Sequence, residues 1–193
     1  MKKNRTTGGS IKKRFSKKDK KDLPLISVIT VVLNNKKFLQ KSINSVLSQT
    51  YKNYELIIID GKSSDGTLNI LKKNNSKIDF WISEKDNSIY DAMNKGIKFS
   101  RGSIIVFLNS DDIFYKQALR TAANYFTKHE SIDFLFGSVI KYKLLYGYRP
   151  WKIRWSFGFY STHSIGFFIR EKAQKKVGYY KTKYKYSPDY DFF

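Results

Sequence analysis

Ser103-Ile104-Ile105-Val106-Phe107-Leu108-Asn109-Ser110-Asp111-Asp112 is an apolar run that stops on two adjacent carboxylates. An uninterrupted apolar run of this length reads as a strand buried on both faces, which is the habit of parallel sheets. Strands of an open parallel sheet end at the edge where α/β proteins bind ligands. Neighbouring residues at such an end point in different directions. One carboxylate can therefore face a divalent cation while the other faces a sugar hydroxyl.

The rest of the chain repeats the pattern. Ile26 to Leu33 and Tyr54 to Ile59 are strand-like apolar runs, the second ending at Asp60. Between them Phe38, Leu39, Ile43, Val46 and Leu47 fall at helical spacing. Gly61 to Gly66 is a turn-rich loop, with Asp65 or Thr67 placed to cap a helix carrying Leu68 and Leu71. Ile78 to Ile82 is a third strand, and Ile89, Met93 and Ile97 line one face of a helix through Lys98. After the strand at 103–108 a helix is predicted from about Tyr115 to Lys128. Strands alternating with helices over short connections predict a three-layer α/β sheet. Beyond Ile132 the pattern changes to aromatic, strand-like segments (Phe134–Ile140, Trp151–Tyr160, His163–Ile169) and a short helix over Glu171–Val177.

Composition bounds the answer. With 193 residues, 41% hydrophobic and 17% aromatic, the chain can bury a core as one domain. It has no cysteine, so disulfides and thiolate metal sites are excluded, as fits a reducing compartment. No apolar stretch is long enough to span a bilayer, and the N-terminus lacks the apolar segment of a secretory signal. The formal net charge is +21. Ten basic and two acidic residues precede Leu23, so +8 lies in that segment and +13 in the remainder. Such charge favours anionic partners, or it reflects a general bias toward Lys and Asn. Residues 1–23, with Gly8-Gly9-Ser10 and little apolar material, read as a disordered basic tail, and 24–193 as the folded domain.

Asp60, Asp65, Asp111 and Asp112 all fall at or just beyond strand ends. Asp111-Asp112 suits a hard cation such as Mg²⁺ or Mn²⁺ that shares its coordination with phosphates; equally, such a pair can simply cap the next helix. The loop Asp60-Gly61-Lys62-Ser63-Ser64-Asp65-Gly66-Thr67 lets a ligand approach the backbone, or is an ordinary βα connection. It is neither a dinucleotide fingerprint nor a P-loop. Asp91 and Lys95 sit one helical turn apart, either as an exposed ion pair or with Asn94 and Lys95 near a nucleotide. Asp189 and Asp191 lie beside the C-terminus, and His163 stands between Thr162 and Ser164.

In order along the chain come Ile26-Ser-Val-Ile-Thr-Val-Val-Leu-Asn34, Ser45-Val46-Leu47-Ser48-Gln49-Thr50-Tyr51, Ile59-Asp-Gly-Lys-Ser-Ser-Asp-Gly-Thr67, Ser83-Glu84-Lys85-Asp86 through Asp91-Ala92-Met93-Asn94-Lys95-Gly96, and Leu108-Asn109-Ser110-Asp111-Asp112. Together they resemble the family 2 glycosyltransferases of GT-A fold that build bacterial-type surface polysaccharides. The resemblance implies an α/β, three-layer α/β/α sandwich with a mostly parallel central sheet. It also implies transfer of a sugar from a UDP- or GDP-sugar to a glycan or lipid-linked hydroxyl, with inversion. By position, Val31 and Leu33 with Asp60 would hold base and ribose, and Asn94 and Lys95 would line the nucleotide pocket. Asp111 would contact ribose or donor sugar, Asp112 would bind Mn²⁺ or Mg²⁺, and Asp189 would be the general base.

Two departures stand out. The family's Pro-Thr-Tyr-Asn is Val31-Val32-Leu33-Asn34 here, which removes an aromatic contact to the base. The chain also stops four residues after Asp189, so the expectation is a donor site with a shortened acceptor side. The expected location is cytoplasmic, with the basic tail against an anionic inner leaflet and no nucleic-acid partner. The competing readings are a nucleotidyltransferase, disfavoured by the lack of a basic glycine-rich loop after the first strand, and an inactive basic binder of nucleic acid or membrane.

Overall fold

The structure is a computed structural model that describes residues 5–140, 144–145 and 166–182. Strand β1 (Thr6–Gly8) and helix α1 (Ile11–Ser16) come first, then β2 (Ile26–Val32), α2 (Lys36–Leu47), β3 (Tyr54–Asp60), α3 (Thr67–Lys73) and β4 (Phe80–Ser83). They are followed by α4 (Ile89–Phe99), β5 (Ile104–Phe107), α5 (Ala118–Lys128) and β6 (Phe134–Phe136). A two-stranded ribbon, β7 (Val139–Ile140) with β8 (Leu144–Leu145), precedes β9 (Phe167–Arg170) and α6 (Glu171–Val177).

The main sheet runs β1-β4-β3-β2-β5-β9-β6. Its centre, β4-β3-β2-β5, is parallel, and antiparallel β1 and β9 flank it. Period-two alternation sorts the core. Ile26, Val28, Leu56, Ile58, Ile104 and Val106 pack under α2, α3 and α5 with Leu39, Ile43, Leu71, Leu119 and Phe126. Ile29, Ile57, Ile59, Ile105 and Phe107 face the other way, toward Ala92 and Met93 of α4. Helix α4 lies so close that a Cβ on Gly96 would stand 2.3 Å from Ile29 Cγ2. The α/β/α sandwich expected from the alternation is therefore present. The helix expected from Tyr115 begins at Ala118, after a turn. Trp151–Tyr160, His163 and Asp189 lie outside the described residues.

The disordered reading of the N-terminal segment is corrected. Residues 6–16 form β1 and α1, with β1 pairing Thr6 to Ser83 and Gly8 to Trp81 on the edge of the sheet. The reason is electrostatic. Glu55 and Asp79 sit at the N-terminal edge of β3 and β4 with fully buried carboxylates. Arg14 Nε reaches Glu55 Oε2 at 3.2 Å and Lys17 Nζ reaches Asp79 Oδ1 at 2.6 Å. The Arg14 guanidinium also stacks 4.8 Å from the Phe80 ring centroid. Several of the tail's charges are thus internal counterions, a use that hydropathy and net charge do not reveal.

Candidate active site

The chain leaves β2 for β3 and β4 on one side and then returns to place β5 on the other. The crevice between the ends of β2 and β5 is the switch point at which open α/β sheets bind ligands. Its two loops are tied together: Asn35 Nδ2 donates to Ser110 Oγ at 2.8 Å. Ser42 Oγ, from α2, donates to the Asn109 carbonyl at 3.3 Å.

Asp111 is exposed and Asp112 half-buried at the end of β5. Asn109 Nδ2 donates to Asp112 Oδ2 at 2.8 Å and orients that carboxylate. Neither residue caps the next helix, because the N-cap of α5 is Gln117, five residues beyond Asp112. The capping alternative for this pair is thus removed. The donor chemistry fits a hard divalent cation: carboxylate oxygens at an accessible edge that an incoming diphosphate could share. Among the described residues no three acidic or histidine side chains form a group that could hold a metal ion. A cation here would therefore be held by Asp112, with Asp111 beside it, and completed by ligand oxygens.

Asp60 ends β3 wholly buried. Ser63 Oγ donates to its Oδ1 at 2.5 Å, Ser83 Oγ to its Oδ2 at 2.6 Å, and the Ser63 N–H lies 3.3 Å from both oxygens. The carboxylate is the hub of the 61–66 loop. That loop is stitched to the β2–α2 turn, where the Asn34 N–H donates to Ser63 Oγ and the Ser64 N–H to Asn34 Oδ1, both at 2.8 Å. Lys62 and Asn34 take left-handed φ of 64° and 51° to allow it. Asp65 accepts from Thr67 Oγ1 at 2.6 Å and from the Lys36 N–H at 2.8 Å, and these bonds hold its carboxyl below its ordinary pKa.

Leu33 stands 63% exposed above this loop and Val31 is half-buried beneath it. The Leu33 side chain lies against Gly61.

Helix α4 starts at Ser88, whose Oγ accepts from the Asp91 N–H at 3.1 Å, while Asp91 reaches back to the Asn87 N–H at 3.0 Å. Lys95 is neither an exposed ion-pair partner nor a side chain reaching into open solvent. Its Nζ sits 2.5 Å from Asp86 Oδ1, 2.9 Å from Glu84 Oε1 and 3.6 Å from Asp91 Oδ2. Burial pulls Lys95 down, but its bonds to Asp86 and Glu84 outweigh that and leave the ammonium above its ordinary pKa. Burial pushes the Asp86 carboxyl up, against the pull of Lys95. Asn94, expected along the pocket, is a strut: its Nδ2 donates to the Tyr180 carbonyl and its Oδ1 accepts from the Tyr180 N–H, each at 2.9 Å. Its amide fastens α4 to the segment after α6.

The structure thus brings Leu33, Asp60, Asp111 and Asp112 to one edge and uses Asn94 elsewhere. Asp86, Ser63 and Ser83 are additional members. Asp86 follows directly on Ser83-Glu84-Lys85 in the sequence, but only the fold shows that its carboxylate turns back over Gly61.

Residues 27–185 match the sequence profile of glycosyl transferase family 2. A PGL/p-HBAD biosynthesis glycosyltransferase of Mycobacterium bovis BCG is 29% identical over 181 residues, which cover 88% of this chain and 68% of that protein. Among solved structures, Staphylococcus aureus TarS 1–349 in complex with UDP-GlcNAc superposes with a TM-score of 0.69 at 23% identity, covering 86% of this chain and 51% of that one. The mannosyltransferase PcManGT of Pyrobaculum calidifontis, in complex with GDP-Man and Mn²⁺, gives a TM-score of 0.62 at 16% identity, covering 82% and 48%. This chain therefore spans about half the length of those two structures, and at these identities the likeness is one of fold.

Proposed function

The chain belongs to glycosyl transferase family 2, and from that premise we propose that it transfers a sugar from a nucleoside-diphosphate sugar to a hydroxyl of a glycan or lipid-linked acceptor. The observation that carries the reading is the Asp111-Asp112 pair at the β2/β5 switch point, free of any capping duty and facing the Asp60 loop across the end of β2. From β4 to β5 is three strand spacings, about 14 Å, which suits an extended nucleoside diphosphate laid across the edge.

In this reading the base and ribose lie over Leu33 and the Asp60–Ser63 loop, and the diphosphate points toward β5. Asp112 holds Mn²⁺ or Mg²⁺ and Asp111 meets the ribose or donor sugar. The cation, when bound, neutralises charge developing on the departing diphosphate. Asn109 fixes the Asp112 carboxylate and Asn35–Ser110 keeps the two loops in register, so the site needs little rearrangement as charge appears. Asp189, by its place in the family pattern, takes the proton of the acceptor hydroxyl as that oxygen attacks the anomeric carbon. The carbon–oxygen bond to the diphosphate breaks on the opposite face, which inverts the centre. Among the described residues no helix is long and apolar enough to cross a membrane.

Incubation with UDP-GlcNAc or GDP-mannose, Mn²⁺ and a polyol or glycan acceptor tests the proposal, with the product followed by proton NMR. Release of nucleoside diphosphate with an inverted anomeric signal is expected. A retained configuration would refute the single-displacement route.

A further inference from the structure

Helix α1 faces the opposite way from an ordinary surface helix. Such a helix lays its apolar residues on the core and shows its charges to water. In α1 the cations turn inward. Arg14 reaches the buried carboxylate of Glu55, and Lys17, just past the helix, reaches that of Asp79. Lys13 donates to the Lys77 carbonyl at 2.5 Å and stands 3.7 Å from Asp79 Oδ2. The apolar residues turn outward: Ile11 is 70% and Phe15 58% exposed, one helical turn apart, and no residue of α1 is buried.

This orientation is fixed. Rolling α1 over to bury Ile11 and Phe15 would lift Arg14 and Lys17 off two fully buried carboxylates. Arg101 adds a clamp, donating from Nη1 to the Arg14 carbonyl at 2.7 Å while its guanidinium lies 4.5 Å from the Phe15 ring centroid. Two large apolar side chains are therefore held out in water, which is unfavourable unless something covers them.

Charge identifies the cover. In the same segment Arg5, Lys12, Lys18 and Lys20 are exposed and enter no ion pair among the described residues. Lys21 is met by Glu130 at 3.2 Å. Asp19 is occupied by the Leu25 N–H at 2.5 Å and the Ser103 hydroxyl at 2.7 Å, which leaves Asp22 as the one free acid against these cations. We propose that the outward face of α1 docks on an anionic lipid surface. Ile11 and Phe15 enter the boundary between headgroups and acyl chains, and the free cations meet the headgroup charges. A nucleic acid would take the cations and leave Ile11 in water. A second copy of the chain would set one group of cations against another. The inference goes beyond sugar transfer and stands apart from it, because the Asp111-Asp112 pair lies at the other edge of the sheet.

Flotation of the full chain with phosphatidylcholine vesicles, with and without phosphatidylserine, tests the proposal. The wild type should float with the anionic vesicles and stay behind with the neutral ones. Ile11→Ser/Phe15→Ser should lower partitioning about tenfold or more, and Lys12→Gln/Lys18→Gln/Lys20→Gln should do the same. Both variants alter exposed side chains and should match the wild type in urea unfolding and in UDP binding. Absence of flotation by the wild type would overturn the proposal and leave the donor-site reading untouched. Flotation that only the lysine variant reduces would also overturn it, by showing attraction without insertion. So would binding of a duplex oligonucleotide in place of vesicles, or a dimer in solution that Ile11→Ser/Phe15→Ser disperses. Phe15→Trp supplies a line that does not depend on loss. Its emission should move to shorter wavelength on adding anionic vesicles, beyond any change in the wild type, and no such shift would contradict docking through this face.

Discussion

The two edges of the central sheet treat carboxylates in opposite ways. At the N-terminal edge, Glu55 and Asp79 are sealed by cations that the chain itself brings back, Arg14 and Lys17. The Ser27 hydroxyl and the Arg101 N–H complete Glu55 at 2.7 Å each, and the Leu56 N–H completes Asp79 at 2.9 Å. At the C-terminal edge Asp111 is exposed and Asp112 is half-buried. Burying a charge demands a counter-charge or donors. Where the chain encloses a carboxylate with its own cations and donors the edge is structure, and where the carboxylates stay accessible the edge is positioned to meet a ligand. Asp60 belongs to the first kind although it lies at the second edge, since three donors from Ser63 and Ser83 surround it.

The largest effect should come from breaking the sealed edge. Deleting residues 1–22 strands two fully buried carboxylates, and each buried pair broken costs about 3–5 kcal/mol. Against a typical stability of about 5–15 kcal/mol, the shortened chain should be largely unfolded by circular dichroism. Arg14→Ala alone should lower the urea-unfolding free energy by about 3 kcal/mol or more. A deletion variant with wild-type stability would show that the arm is an appendage, and the contrast between the edges would collapse.

A smaller effect sharpens the same contrast at the other edge. Ser63→Ala removes one donor to Asp60 and the acceptor of the Asn34 N–H. It should cost about 1–2 kcal/mol in urea and weaken nucleotide binding by loosening the loop. Unchanged stability together with unchanged binding would mean that the loop is held by other contacts.

This contrast also explains what could be read from the chain. The strands at 26–32, 54–60 and 104–107 were legible because burial on both faces leaves an unbroken apolar signature. The placing of Asp60, Asp111 and Asp112 at one edge followed from where those runs stop. The arm was not legible. Its helix has no buried residue and its strand is three residues long, so neither carries a periodic signal. What fixes it is pairing with Glu55 and Asp79, more than sixty residues away in the case of Asp79, and long-range charge pairing leaves no local pattern. Asn94 misled for a related reason. Its motif sits beside the nucleotide side of the fold, but the turn of α4 that carries it faces Tyr180. The place of Asp86 was hidden because it meets Gly61 only through the pairing of β3 with β4.

The most direct test of the account is calorimetric titration of UDP and GDP, with and without Mn²⁺, into wild type and Asp112→Ala. The account predicts binding to the wild type that strengthens at least about tenfold with Mn²⁺, the scale of one lost charged contact, and an Asp112→Ala variant that stays folded but loses the metal-dependent part. Metal-dependent binding that survives in Asp112→Ala, or no nucleotide binding by a folded wild type, would contradict it.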